Sequence, residues 1–276
     1  MKKVPVYNIN GEKIGEIELP IHFSFIVRKD LINRAYWSVF THSLQPYGTD
    51  PLAGKRKVVR WRKHRRIRYR TFYGWGVSRV PRKILARYGG GWGYIAYAGA
   101  FAPFTRGGRR AHPPKVEKKI YEKINKKERL KAVLSAISAT AKKEFVVARG
   151  HRVGDIELPI VFEDKFEDIE KTREVVKLLE KIGLKEELER TKKVKIRAGK
   201  GKRRGRRYKK KKGPLIVVSD KDKNIIKSAR NIPGVDVVPV KDLSILHLAP
   251  GGKPGRLTIW TVSALKKLEE EKLFIR

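Results

Sequence analysis

Apolar and polar positions alternate at the start of the chain: Val4 and Val6, then Asn10-Gly11, then Ile14 and Ile17. That pattern predicts two short strands joined by an Asn-Gly turn. The period changes at Lys29. From there to Leu44, the residues Leu31, Ile32, Ala35, Tyr36, Val39 and Phe40 recur at helical spacing and predict a helix. Helix-forming sequence resumes at Val116, and Lys127–Ala141 carries Leu130, Val133, Leu134, Ile137 and Ala141 on one stripe. Beyond it, apolar runs and amphipathic stretches take turns. Phe145–Ala148, Pro159–Phe162, Leu215–Val218, Val235–Val238 and Leu257–Thr261 read as strands. Asp168–Ile182 reads as a helix with Asp168 as its N-cap and Gly183 as its stop, and Asn224–Arg230 and Ser263–Lys272 read as helices too. Continuous apolar strands need cover on both faces. The expected fold class is therefore α/β: a Rossmann-like parallel sheet with helices on both faces, plus a long extended internal loop.

The periodic pattern fails in two places, and charge collects in both. The whole chain has 67 Lys and Arg against 28 Asp and Glu, a formal net charge of +39. Residues 45–115 hold 18 of those bases and a single acid, Asp50, while residues 192–212 hold 14 bases and no acid. What remains is charged like an ordinary globular protein. The expected organisation is residues 1–44 as the first part of a globular α/β domain, 45–115 as an extended basic loop, and 116–276 as the rest of the domain, with a second basic segment at 192–212. A bland reading of such runs is a solvated, disordered tail. Neither run is terminal, however, and the first holds 12 of the chain's 25 aromatic residues. Interleaved cations and aromatics point to nucleic acid. A loop of that length without a compact core of its own makes sense if another molecule supplies its packing partner.

Arginine outnumbers lysine nine to three across Lys55–Arg82. Its planar fork matches phosphate and stacks on bases, and Trp61 and Tyr69 offer faces to unpaired bases, as RNA recognition requires. The candidate RNA-binding residues of the loop begin with Lys55, Arg56, Lys57, Arg60, Trp61, Arg62, Lys63, Arg65, Arg66, Arg68 and Arg70. They continue with Arg79, Arg82, Lys83, Arg87, Arg106, Arg109, Arg110 and His112. The second segment adds Lys200, Lys202, Arg203, Arg204, Arg206, Arg207, Tyr208, Lys209 and Lys210. Two glycine-rich stretches, Tyr73–Arg79 and Tyr88–Trp92, are expected side by side at the far end of the loop, because glycine lets a chain reverse in little space.

Other chemistries find little support. The absence of cysteine excludes disulfides, thiol catalysis and iron–sulfur clusters. No run of apolar residues is long enough to span a bilayer, and the N-terminus lacks the apolar stretch of a signal peptide. Gly89–Gly93, Gly199–Gly201 and Gly251–Gly255 lack the strand and helix context of a nucleotide fingerprint and read as turns. The histidines show no metal-ligand spacing. Asp164 and Asp168 read as helix entry and capping, and His42-Ser43 as a helix end. No enzyme, metal or cofactor is expected.

Several motifs together resemble the universal large-subunit ribosomal protein L-four family, archaeal and eukaryotic type. They are Gly107-Gly-Arg-Arg-Ala-His-Pro-Pro-Lys115, Lys127-Glu-Arg129 with Leu134–Ala141, Arg149-Gly-His151, Phe166-Glu-Asp168 and Lys171–Val176. Further along come Lys195–Gly201, Arg204–Tyr208, Ala229-Arg-Asn231, Leu248–Gly252 and Pro254–Thr258, closest to archaeal members. The resemblance implies an α/β domain whose long loop threads into large-subunit rRNA early in assembly, in a cytoplasmic ribosome. It implies neighbouring large-subunit proteins as partners and a loop tip beside the nascent polypeptide in the exit tunnel. It implies no catalysis, cofactor, membrane or small-molecule substrate. The family's tip pattern, G-x-G-x-x-R, is matched by Gly74, Gly76 and Arg79, with Pro81 following, and the returning F-A-P by Phe101-Ala-Pro103. The resemblance places Tyr73, Gly74, Trp75, Gly76 and Arg79 at the tunnel wall, and the stretch expected beside them adds Tyr88, Gly89, Gly90, Gly91 and Trp92 as tunnel-lining residues. Trp75, Trp92, Tyr94 and Tyr97 stand where other family tips carry small or basic residues. A free RNA chaperone or mRNA-binding regulator is the alternative class.

Overall fold

The computed structural model describes residues 2–275 except 62–65, 67–70, 72, 75 and 87–93. The chain divides into two units, a body of Met1–Ser43 with Tyr121–Arg276, and an insertion, Leu44–Ile120. In chain order the strands are β1 (Lys3–Tyr7), β2 (Lys13–Glu18), β3 (Val59–Arg60), β4 (Arg82–Ala86), β5 (Tyr94–Gly99), β6 (Ile160–Phe162), β7 (Lys195–Ile196), β8 (Tyr208–Lys209), β9 (Leu215–Val218), β10 (Asp236–Pro239) and β11 (Thr258–Thr261). The helices are α1 (Lys29–His42), α2 (Lys126–Thr140), α3 (Lys143–Ala148), α4 (Thr172–Leu179), α5 (Lys185–Lys192), α6 (Ile225–Arg230), α7 (Ile245–Leu248) and α8 (Val262–Glu270).

The body is a mixed α/β fold on a six-stranded sheet of order β10-β9-β11-β6-β1-β2. Every pair is parallel except β1 with β2. The exception follows from sequence: the Asn8 side chain accepts from the Glu12 amide at 2.8 Å and closes a tight hairpin. Neighbouring residues of a strand face opposite ways. Accordingly Val161, Leu215, Val217, Val238 and Trp260 pack on one side with Leu31, Ile32 and Ala35 of α1, Val133 and Ile137 of α2, and Leu265 and Leu268 of α8. Ile160, Phe162, Ile216, Val218 and Ile259 pack on the other with Leu178, Leu188 and Ala229 of α4, α5 and α6. Trp260 meets the edge of Phe23 at 5.5 Å, and Phe162 stacks on Phe166 at 4.5 Å.

Three sequence expectations need correction. Phe145–Ala148 is helical, within α3, not a strand; of that helix only Val146 is buried, and a run with one buried residue in four suits a helical turn better than a doubly covered strand. Helix α4 starts at Thr172, and Asp168 closes the preceding 3-10 turn Asp164–Asp168 rather than capping it. Residues 116–125 are not helical either, and α2 begins only at Lys126. Gly183 is a helix stop as expected: its left-handed φ of +97° breaks the helical run, and α5 starts beyond it.

The parallel strands end on a buried carboxylate. Glu167 accepts from the Ser219 amide at 2.8 Å and from the hydroxyls of Ser219 and Thr261 at 2.7 Å, with Lys223 Nζ at 3.3 Å. Asp164 caps not its own turn but α8, accepting from the Ser263 amide at 2.7 Å.

The insertion carries a three-stranded antiparallel sheet, β3-β4-β5, where the sequence suggested only extended limbs. Its core is thin. Among the described residues it buries Thr71, Pro81, Ala100 and Ala102, none of them large. Its base is drawn tight by glycine: at Gly54 (φ +75°) a Cβ would fall 2.5 Å from the Gly108 carbonyl carbon. No described helix is long and apolar enough to cross a membrane.

Candidate nucleic-acid interface

Strand pairing fixes the first group of expected residues. Arg60 on β3 stands opposite Arg82 on β4, and Val59 opposite Lys83. Arg60, Arg82, Lys83 and Arg109 are half-buried, whereas Lys55, Arg56, Lys57, Arg66, Arg79, Arg106, Arg110 and His112 are exposed. Arg82 Nη2 donates to the Ser78 carbonyl and hydroxyl at 2.9 and 2.8 Å. Arg56 pairs with Asp50, the one acid of residues 45–115. Trp61 rests its edge against Phe101 at 5.8 Å yet stays 65% exposed, and Phe104 is 79% exposed. Aromatic faces left open beside cations suit stacked bases. Of the tip residues, Tyr73, Gly74, Gly76 and Arg79 are exposed, with both glycines left-handed. Arg62, Lys63, Arg65, Arg68, Arg70 and Arg87 lie outside the described residues, as do Trp75, Tyr88, Gly89, Gly90, Gly91 and Trp92. The expected side-by-side placement of the two glycine stretches falls there too.

The second segment is a two-stranded ribbon on the body. β7 pairs with β8, Ile196 opposite Tyr208, around the turn Lys200–Arg204. Arg197 holds it, its amide donating to the Arg207 carbonyl at 2.8 Å and its Nε to the Arg206 carbonyl at 2.9 Å. Lys200, Lys202, Arg203, Arg204, Arg206, Arg207, Tyr208, Lys209 and Lys210 are all exposed. Among the described residues none of these forms an ion pair within the chain; the Arg207 guanidinium lies 5.7 Å from the Tyr208 ring centroid. So many like charges held on a short ribbon repel one another until polyanion arrives.

A third group joins the expected Lys209 and Lys210 to residues that sequence reasoning did not assign. Arg149, His151, Arg190, Lys195, Lys209–Lys212, Pro250 and Lys253 line a cleft of about 550 Å³ in the body. Behind it sits the buried Glu187, which receives His151 Nδ1 at 2.6 Å, Arg190 Nη2 at 2.6 Å, Arg190 Nε at 2.8 Å and the Arg152 amide at 3.0 Å. Burial acts to raise this carboxyl, but the hydrogen bonds from Arg190 and His151 prevail and hold it down at about 2. Burial lowers the His151 imidazole more than Glu187 raises it, so the ring is neutral. Because Glu187 is ionised and can only accept, the ring proton sits on Nδ1. Arg149 gives its guanidinium to the carbonyls of Pro250, at 2.5 Å, and Lys253. Burial, then the charges of Arg256 and Arg190, bring it down to about 10. Arg256, fully buried, donates to Asp236 at 2.6 Å and to the carbonyls of Gly213 and His247 at 2.9 Å. Glu187 and Arg190 are one turn apart on α5, an unforeseen helix, and His151 and Arg152 reach them from more than thirty residues away.

Among the described residues no cluster of His, Asp or Glu could hold a metal. A mixed α/β body bearing cation-rich, aromatic-studded segments defines a protein that binds a polyanion. Residues 17–271 match the Ribosomal protein L4/L1 family. The chain is 51% identical over 271 residues to the large ribosomal subunit protein uL4 of Methanocaldococcus jannaschii, covering 97% of this chain and 98% of that one. It is 49% identical to the uL4 of Nanoarchaeum equitans, covering 99% of both, and 46% identical to that of Sulfurisphaera tokodaii, covering 98% and 95%. The chain belongs to the ribosomal protein L4/L1 family.

Proposed function

We propose that this chain is a structural, non-catalytic constituent of the large ribosomal subunit that binds large-subunit rRNA in the cytoplasmic ribosome, beside neighbouring large-subunit proteins. The family match carries this reading, and the unpaired cations of residues 200–210 support it. The body, layered in the Rossmann manner from residues 1–44 and 116–276, anchors the protein. Residues 45–115 penetrate folded rRNA, and residues 192–212 grip phosphates at the body's surface. Binding neutralises phosphates and stacks bases on exposed aromatics such as Trp61 and Tyr208. The stretch Tyr73–Arg79, with Tyr88–Trp92, forms part of the wall of the exit tunnel and meets the nascent polypeptide. Density-gradient sedimentation of a cell lysate tests the assignment: the protein comigrates with the large subunit, whereas a light free pool would favour an RNA chaperone or mRNA regulator. A crosslinking map of ribosomes carrying a stalled chain tests the tip. No crosslink from residues 73–97 to the nascent peptide would reduce the segment to rRNA packing.

A further inference from the structure

The six-stranded sheet ends in two edges, and they are built differently. A strand without a neighbour presents unpaired N–H and C=O groups that template another strand, and proteins usually blunt such an edge. The β10 edge is blunted. The Asp236 amide donates to the Pro214 carbonyl at 3.2 Å, on the β9 side, so alternation turns Val237 and Pro239 outward, and proline has no N–H to give. The β2 edge is not. The Leu19 amide donates to the Lys2 carbonyl at 3.0 Å, so the alternation of an antiparallel ladder puts Ile17 and Gly15 in bonded pairs with Val4 and Val6. The amides and carbonyls of Glu16 and Glu18 therefore point away from β1, and among the described residues nothing bonds them. All of β2 except Ile17 is exposed, and a Cβ at Gly15 would meet nothing within 4 Å.

The side chains of this edge select among partners. Glu16 and Glu18 share one face of the strand and form no ion pair or hydrogen bond among the described residues, while Ile17, on the other face, packs against the body's core. Two free carboxylates repel phosphate, which turns RNA away. A second copy of this chain, paired antiparallel about Ile17, would set Glu16 against Glu18, and like charges opposite one another destabilise a ladder. An extended segment with Lys or Arg at alternate positions meets every demand. Its backbone completes the ladder, its cations stand opposite Glu16 and Glu18, and an apolar residue between them covers Ile17. We propose that β2 accepts, as a seventh strand of the sheet, a Lys/Arg-rich extended segment of a neighbouring large-subunit protein. The proposal rests on the large-subunit reading and adds to it a protein-binding edge. In a chain of net charge +39, the two carboxylates of this edge are kept for protein.

The test compares the free full-length protein with purified large subunits. Hydrogen–deuterium exchange reads the amides of Glu16 and Glu18, and a photo-crosslinking residue in place of Ile14, which is 61% exposed, reports what lies against the edge. In the subunit the two amides should exchange roughly tenfold or more slowly than in the free protein, the effect of about one hydrogen bond each. The crosslinked adduct should be a protein segment with Lys or Arg at alternate positions. Glu16→Lys combined with Glu18→Lys changes only exposed side chains, so the body should keep its unfolding temperature while protection and adduct are lost. The wild-type measurements carry the test even if that variant fails to enter the subunit. Protection and adduct unchanged in the variant overturn the charge-matched partner. An adduct with rRNA or with a second copy of this chain, no protein adduct, or exchange in the subunit as fast as in the free protein overturns the proposal and leaves the large-subunit reading intact. Absence of the chain from the large subunit overturns both.

Discussion

The body sets its largest aromatic residues into a core, and the described part of the insertion buries none of its own. The body buries Trp260, Phe162 and Phe166 completely, while the insertion leaves Trp61 at 65% and Phe104 at 79% exposure. A fully buried large apolar side chain contributes about 1.5–3 kcal/mol, so the body's sheet, covered on both faces, is stable from its own packing. The insertion, with nothing larger than Thr71 or Pro81 buried among its described residues, leaves its apolar and cationic surface for another molecule. One region hides its aromatic rings in a core of its own, and the other holds them open at its surface.

Four measurements would break or sharpen that contrast. The largest effect concerns salt. If roughly 6–10 phosphates are neutralised, RNA affinity should fall by about 10³–10⁵ between roughly 50 and 200 mM salt on the duplex-DNA scale, and less for single-stranded RNA, by fluorescence anisotropy. The thermal unfolding of the body should shift little over the same range; an affinity indifferent to salt would dissolve the distinction. Next, Trp260→Ala should cost about 3–5 kcal/mol in urea denaturation. Trp61→Ala should stay within about 0.5 kcal/mol in that assay, yet weaken RNA binding by about 1–3 kcal/mol because a base would have no ring to stack on. Equal stability losses would mean that the insertion has a core after all.

Third, Glu187→Gln should destabilise the body by about 3–5 kcal/mol, because Arg190 would lose its buried counter-charge. Glu187 also sets an acid limit. Its folded value, about 2, lies below the ordinary 4.5, so its contribution is complete above 4.5 and disappears as pH falls toward 2. Denaturation midpoints across that window should fall for the wild type and flatten for Glu187→Gln. The smallest effect belongs to the ribbon. Replacing Arg203, Arg204, Arg206 and Arg207 with glutamine should leave the unfolding temperature unchanged and reduce the salt slope of RNA binding by up to about 0.7 for each phosphate no longer neutralised. An unchanged slope would remove the ribbon from the interface.

The body was legible in sequence wherever period and turn chemistry agreed. Asn10-Gly11 marked the hairpin, and the runs Leu215–Val218 and Leu257–Thr261 marked doubly covered strands. The two basic segments were legible as charge. Reading failed where one apolar run fits two geometries, as at Phe145–Ala148, but held at Gly183, whose left-handed backbone breaks the helix as a glycine stop should. The cleft was invisible for another reason. Glu187 and Arg190 sit one helical turn apart, but His151 and Lys253 come to them only through folding. The three strands of the insertion were hidden too, since arginine-rich and glycine-rich stretches carry little alternation between buried and open faces.

The buried Glu167 gives the sheet a polarity. Open parallel sheets usually receive ligands beyond the carboxyl ends of their strands. Here that end is occupied by a carboxylate already satisfied by Ser219 and Thr261, with Lys223 beside it, and a negative charge so placed repels phosphate. Cations gather instead at the opposite end, around Lys212 and Lys253. The customary nucleotide doorway has become a structural keystone, and the sheet's cationic cleft opens at what is ordinarily its back.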